Sequence, residues 1–458
     1  MNKTYTIKTT TDPIDHTIYL PMSTKEYGFI HTVSFGTLLL PCEINYSDEL
    51  DQSILLSQEL ANQLMLPNEG KTHLLIHEGI LNLGPLIGIF TAGFTESNLR
   101  PIGERSLFFA KFLSLDQSLG LFTFVFGAHH INWEEGIIEG FTYGKNGWEQ
   151  GIFPFPNVVY DRLPNRRIEN HQALKLVKKR LIDEYSIPWY NPGFFNKWSI
   201  HQLLIHDTQA AKYLPATFRT PSISKMEEML ASYQNIYLKP INGSLGLGVY
   251  QLMYSREDNH YYSRYRDENE INRLRKYPSI EHFLKVSFKD KLLSNYLAQQ
   301  GIKLIRLDGK AIDFRVHTNK DEHGVWKVTA LAAKVAGKGS VTTHLNYGGV
   351  VKTLEEIYDD PMERVKAFHD LTEAAIILSM SIDNNLEGFI GEIGFDLGID
   401  TNGQIWMFEA NSKPGRSIFC HPELKDADLL SRKSSLEYGL FLSMKSIFTP
   451  EKLIYEER

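Results

Sequence analysis

Hydrophobic positions along the 458-residue chain fall into three successive patterns. Up to about residue 84, short runs such as Thr17-Ile-Tyr-Leu-Pro-Met and Gly36-Thr-Leu-Leu-Leu are broken by Asp, Asn, Pro and Gly, as brief strands joined by turns would be. They predict a small β-rich domain over 1–84. At Gly84-Pro-Leu-Ile-Gly-Ile-Phe-Thr the polar positions drop out, a helical stretch follows around Arg105 to Leu115, and a second apolar run occupies Leu121-Phe-Thr-Phe-Val-Phe-Gly. A strand covered on both faces reads as a continuous apolar run, so this order predicts a small open α/β domain over 85–190. That domain closes with Val158-Val-Tyr-Asp-Arg and a charged helical stretch, IENHQALKLVKKRLIDEY.

Pro192-Gly193 opens the third unit, 191–458. Here Ile236-Tyr-Leu-Lys239 and Val249-Tyr-Gln-Leu read as two strands around a glycine-rich turn. Residues 255–280 are Tyr-rich and charged with little period, which predicts a solvated loop or insertion. Asp360-Pro361-Met-Glu363 starts a helix, with Asp360 as N-cap and Pro361 at the first position, running through Met380 and packing on the sheet.

Composition narrows the class. With 42% hydrophobic and 22% charged residues the chain is an ordinary globular protein, and its formal charge of -7 provides no general attraction to nucleic acid or anionic membranes. Any basic site has to be local. The two cysteines, Cys42 and Cys420, support neither a disulfide framework nor a thiolate zinc site, which points to a reducing, cytoplasmic setting. The N-terminal stretch has no apolar core behind its charge, and no run is long enough to span a bilayer.

Two motifs carry chemistry. In Lys239-Pro-Ile-Asn-Gly243-Ser244-Leu-Gly246-Leu-Gly248, glycines let the backbone approach an anion while Lys239 supplies a point charge, a combination suited to phosphate. It lacks the Gly-Lys-Ser/Thr of a Walker A loop. In Gly394-Phe-Asp396-Leu-Gly-Ile-Asp-Thr-Asn402-Gly403-Gln-Ile-Trp-Met-Phe-Glu409-Ala-Asn411, Asn402-Gly403 reads as a two-residue type I′ turn, so Thr401 faces Gln404 and Asp396 faces Glu409. Asn411 joins the same face two residues on. Opposed carboxylates roughly 5 Å apart repel by about 3 kcal/mol at an effective dielectric near 20. A hard divalent cation between Asp396, Glu409 and Asn411 would offset that repulsion. Alternation also places Asp313, Arg315 and His317 on one strand face, where Arg315 suits two-pronged recognition of phosphate or carboxylate.

A lysine-ending strand with a glycine loop, followed by Asp396-x12-Glu409-x-Asn411, resembles the ATP-grasp superfamily over roughly residues 190–445. The resemblance implies a fold of two α+β lobes, small over about 212–300 and large over about 301–445, closing on ATP with Mg2+ (or Mn2+). It implies metal ligation by Asp396, Glu409 and Asn411, nucleotide contacts from Lys197, Lys239, Gly243, Ser244, Gly246 and Gly248, and an interlobe hinge at Gln299, Gln300 and Ile302. Asp313-Phe-Arg315, Lys334 and His344-Leu-Asn346-Tyr-Gly348-Gly349 resemble the subgroup of amino-acid-adding peptide ligases, where asparagine commonly stands at the position of His344. The three-unit arrangement is similar to the YheC/YheD-type endospore coat-associated family, which implies a spore coat setting, coat proteins as partners, and a homo-oligomer as one form.

The expected activity is an ATP-dependent carboxylate–amine (or thiol) ligase acting through an acyl phosphate on a small-molecule or peptide carboxylate, with Arg315, Lys334, Lys413 and Arg416 as catalytic or substrate-orienting cations. Asp161, Arg162 and Arg166 are candidate acceptor-site residues. The rival reading is a coat scaffold that binds nucleotide without turnover. A kinase is disfavoured because the chain lacks His-Arg-Asp and Asp-Phe-Gly in order.

Overall fold

The computed structural model describes residues 3–10, 16–67, 70–243, 247–288, 292–343, 345–451 and 453. Four sheets organise them. The first is an eight-stranded mixed sheet within residues 4–84, with Thr4–Thr10 central, parallel to Ser53–Ser57 and antiparallel to Gly70–His77.

The second sheet is built around Leu86–Phe90, which pairs in parallel with both Phe122–Phe126 and Val158–Asp161. All five residues of Leu86–Phe90 and of Phe122–Phe126 are buried, as their unbroken apolar sequences require. One covering element comes from the far end of the chain. Helix Lys425–Phe448 contributes Leu436, Tyr438, Leu440 and Leu442 to the same core as Ile87, Ile89 and Tyr160. At Gly439 the helix comes so close that a Cβ would lie 2.8 Å from the Ile87 Cδ1.

The third sheet is antiparallel and six-stranded, in the order Thr217–Arg219, Tyr296–Gln300, Asn235–Pro240, Tyr250–Ser255, His260–Arg266, Asn272–Tyr277. Helices Ile223–Tyr233 and Ile280–Ser287 pack Met226, Leu230 and Phe283 against Ile236, Leu238 and Leu252. Because side chains alternate, Tyr237 and Lys239 point to the opposite face. The expected loop at 255–280 is instead the two outer strands of this sheet. Strand His260–Arg266 is half-buried at six of its seven positions, so its tyrosines and arginines serve a wet face on either side and leave no apolar period to read.

The fourth sheet carries Val350–Lys352, Trp326–Val335, Lys310–Lys320, Glu392–Ile399 and Ile405–Asn411 in that order. Helix Pro361–Asn385, capped by the Asp360 carboxylate accepting from Met362 N at 2.9 Å, covers one face by packing Leu371, Ala374 and Leu378 with Ile312, Phe314 and Val316. Asp313, Arg315 and His317 therefore lie on the other face, which looks across at the third sheet.

The hairpin at 392–411 departs from the expected turn. Asp400 faces Gln404, donating to its carbonyl at 3.0 Å, and Gly403 at φ +85° closes a three-residue loop. The Asp400 carboxylate accepts from Asn402 N and Gln404 N, which favours the wider loop over the type I′ turn. This shifts the register by one residue, and an irregularity beside Phe408 shifts it back, so Leu397 pairs with Met407 but Asp396 pairs with Glu409.

Candidate active site between two lobes

The third and fourth sheets enclose a cavity of about 1290 Å³. Across the floor, side chains of alternating charge run from strand to strand. Lys334 is 3.1 Å from the Asp313 Oδ1 and 2.8 Å from the Asp396 Oδ1. Arg315 grips Asp396 with two N–H groups, Nε to Oδ1 at 2.8 Å and a terminal nitrogen to Oδ2 at 3.2 Å. Asp396 in turn faces Glu409, whose Oε1 accepts from the Lys197 Nζ at 2.6 Å.

This ladder changes the argument for the opposed carboxylates. Their repulsion is offset inside the chain, by Arg315 and Lys334 for Asp396 and by Lys197 for Glu409, so the pairing by itself does not require a metal. Burial alone would raise the Asp396 carboxyl, yet Arg315 and Lys334 overcome it and hold the group well below the usual carboxylate range. The His317 imidazole, buried on the same face, is pushed well down by desolvation and then by Arg315 and Arg416.

From the roof, the Lys239 Nζ donates to the Gln299 Oε1 at 2.5 Å, and the Gln299 Nε2 donates to Thr217 Oγ1 at 3.2 Å. Lys197, at the start of helix Lys197–Ile205, also donates to the Gly243 carbonyl at 2.8 Å, tying the glycine loop to Glu409. Burial lowers Lys239 to about 8, with the nearby Glu409 charge opposing the shift. The lysine is thus cationic below about pH 8 and loses its charge above it. An anion held by Lys239 is expected to bind more weakly as pH rises through and beyond 8, with the trend lost in Lys239→Gln; isothermal titration with Mg-ATP from pH 6.5 to 9.5 tests both.

Residues nominated from sequence come together here: Lys197, Lys239, Gly243, Gln299, Gln300 and Ile302 line the cavity with Arg315, Lys334, Asp396, Glu409 and Asn411. Gly248, at φ +72°, turns the chain between the lining residues Leu247 and Val249. Ser244, Gly246 and His344 lie outside the described residues.

Two nominations change role. Lys413 borders the cavity, but its side chain is only 2% exposed and pairs with Asp161 at 2.6 Å and Glu169 at 3.0 Å. Arg416 pairs with Asp428 at 2.9 Å and with the Asp428 carbonyl. Lys413 thus ties the end of the fourth sheet to Asp161 of the second, and Arg416 is tied to helix Lys425–Phe448, so neither charge stands free for a substrate. Asp161 and Arg162, nominated for an acceptor, are buried in the same seam, where Arg162 pairs with Glu392. Arg166 does line the cavity.

The sequence reading passed over Tyr237, Arg306 and Phe408, which also line it. Tyr237 was accessible, being two residues before Lys239 on the same strand face. Arg306 was accessible too, since Asp308-Gly309 closes a two-residue hairpin that pairs it with Ala311, whereas Phe408 carried no local signal because a register irregularity places it.

Residues 186–442 match the family described as YheC/D like ATP-grasp. The chain is 50% identical to the endospore coat-associated protein YheD of Bacillus subtilis (strain 168) over 439 residues, 96% of each protein. The chain belongs to the YheC/D-like ATP-grasp family. It is also similar to the endospore coat-associated protein YheC of the same organism, at 23% identity over 61% of this chain and 77% of YheC. Among solved structures it is similar to the D-alanine-D-alanine ligase from Coxiella burnetii, with a TM-score of 0.46 and 13% identity, covering 81% of this chain and 99% of that one. In ATP-grasp terms the third sheet is the small lobe, the fourth is the large lobe, and the cavity is the cleft between them.

Proposed function

We propose that this cleft binds Mg-ATP, activates a carboxylate as an acyl phosphate and passes the acyl group to an amine, making the protein an ATP-dependent ligase. The observation that carries the reading is the meeting, in one cavity, of Lys197 and Lys239 with the oxygen set of Asp396, Glu409 and Asn411.

The donor set fits magnesium by its chemistry, since all three groups offer hard oxygens. The Glu409 Oε2 and the Asn411 Oδ1 have no protein partner among the described residues, while Asp396 would exchange part of its contact with Lys334 for a metal. Bound there, magnesium would offset charge on the terminal phosphates of ATP.

The residues of the chain have separate tasks. Lys239 and Lys197 set point charges beside the glycine loop, where the triphosphate would lie. Arg315, locked in plane by Asp396, and Lys334 orient the substrate carboxylate and the transferring phosphoryl group. A carboxylate oxygen bonds to the γ-phosphorus as the bond to the bridging oxygen breaks, releasing ADP. The amine nitrogen then attacks the acyl carbon, phosphate departs with the C–O electron pair, and the nitrogen proton passes to solvent. Gln299 to Ile302 would place the adenine.

The name of the YheD relative supports a setting at the endospore coat of a sporulating cell. One observation favours a second reading, a coat scaffold that holds nucleotide without turnover: Asp396 and Glu409 are already neutralised within the chain. Incubation with Mg-ATP and a panel of amino acids, acidic peptides and cell-wall precursors separates the two. Substrate-dependent ADP release with an amide product by mass spectrometry is expected; nucleotide binding with no release across the panel would leave the scaffold.

A further inference from the structure

The cleft is more cationic than a nucleotide needs. Twelve of its lining residues are Lys or Arg and four are Asp or Glu, in a chain of formal charge -7. Ten cations remain once Lys413 and Arg416, which are paired with Asp161, Glu169 and Asp428 outside the lining, are set aside. Magnesium-bound ATP brings only about two negative charges. Its volume of about 1290 Å³ also exceeds the roughly 300–1,000 Å³ of pockets that hold one small ligand. Three of the four acids are paired already, Asp313 and Asp396 with Lys334 and Arg315, and Glu409 with Lys197. The surplus positive charge therefore belongs to the two rims.

Those rims lie at opposite ends of the large-lobe sheet. Arg306 pairs with Ala311, whereas Asn411 pairs with Gly394, which pairs with His317, six residues further along the strand of Ala311 and about 20 Å away. The Arg306 rim continues from Gln299–Ile302, where the base and sugar of the nucleotide fall on the ligase reading. The other rim, beyond Asn411, is left for the second substrate. It is formed by Asn165, Arg166, Arg167, Phe194 and Gly415.

On this rim the neighbouring acids are occupied, because Lys413 takes both Asp161 and Glu169. Arg166 is steadied without losing its charge to an acid: it donates to the carbonyls of Phe195 and, at 3.5 Å, of Asn242, and lies 5.6 Å from the Phe194 ring centroid. Arg167 is exposed. Neither arginine has a carboxylate in ion-pair range among the described residues.

We infer that the second substrate is an acidic peptide, an extended chain bearing several carboxylates, which enters over Arg166 and Arg167 and delivers one carboxylate to Arg315 and Lys334. Delivery for activation rests on the ligase reading; recognition of the acidic chain does not.

The test uses the full-length protein with saturating Mg-ADP and a fluorescein-labelled hexaglutamate peptide, followed by anisotropy, with hexaglutamine as control. Hexaglutamate binds with Mg-ADP in place, hexaglutamine does not, and added salt weakens binding. Arg166→Gln combined with Arg167→Gln lowers peptide affinity about tenfold or more while Mg-ADP affinity is kept. Arg167→Gln alone, at an exposed position, gives a smaller loss in the same direction and guards against misfolding of the double variant. Equal binding of the two peptides, unchanged affinity in both variants, displacement of hexaglutamate by Mg-ADP, or tighter binding of a single-stranded oligonucleotide of matched charge would each overturn the inference. Acid-specific binding here, combined with no ADP release across the Mg-ATP substrate panel, would instead remove the ligase reading and keep this site.

Discussion

Glu409→Gln is expected to lower magnesium-dependent ATP turnover about a thousandfold, the scale on which loss of one preorganised charge or metal ligand acts in a closed site. The substitution keeps the shape of the side chain but removes the charge opposite Asp396 and the ion-pair partner of Lys197. The fold should survive. Lys197 retains the Gly243 carbonyl, and the Glu409 side chain is 26% exposed, so the stability loss stays near 1 kcal/mol. Rates of ADP release, read beside a thermal melt, check both halves. A folded variant that turns over ATP like the parent protein would overturn the proposal that Glu409 is a metal ligand.

Lys413→Met is the second large effect, and it acts on stability. Lys413 and Asp161 have side chains only 2% and 1% exposed, and removing the lysine leaves a buried carboxylate without its cation. Breaking such a pair from one side costs about 3–5 kcal/mol. Trp189 Nε1 and Leu163 N still bond Asp161 but carry no full charge. Denaturant unfolding should show the drop. A substrate-orienting lysine would instead raise KM and leave the unfolding midpoint in place, so a normal midpoint would restore the role first assigned to Lys413.

These two residues illustrate what could be read in advance. Asp396 and Glu409 were placed opposite one another from sequence through a turn that does not form. The actual loop is one residue longer, and the irregularity at Phe408 restores the pairing. The agreement survived because two one-residue shifts cancel, and spacing alone cannot reveal either. The ion pairs of Lys413 were hidden for another reason. Its partners Asp161, on a strand of the second sheet, and Glu169, on the short helix Arg166–Glu169, lie some 250 residues upstream, and sequence adjacency to Asn411 suggested cleft chemistry where the chain builds a seam.

The sequence by itself determined the succession of strand and helix patterns, the strands that are buried on both faces, and the types of side chain suited to phosphate and metal, because periodicity, turn chemistry and ligand hardness are local properties. Only the tertiary structure decided which charges are free and which are paired, that residues 255–280 extend the small-lobe sheet, and that helix Lys425–Phe448 returns to cover the second sheet. Those outcomes depend on neighbours brought close by the fold, where a few ångströms separate a satisfied ion pair from a binding site.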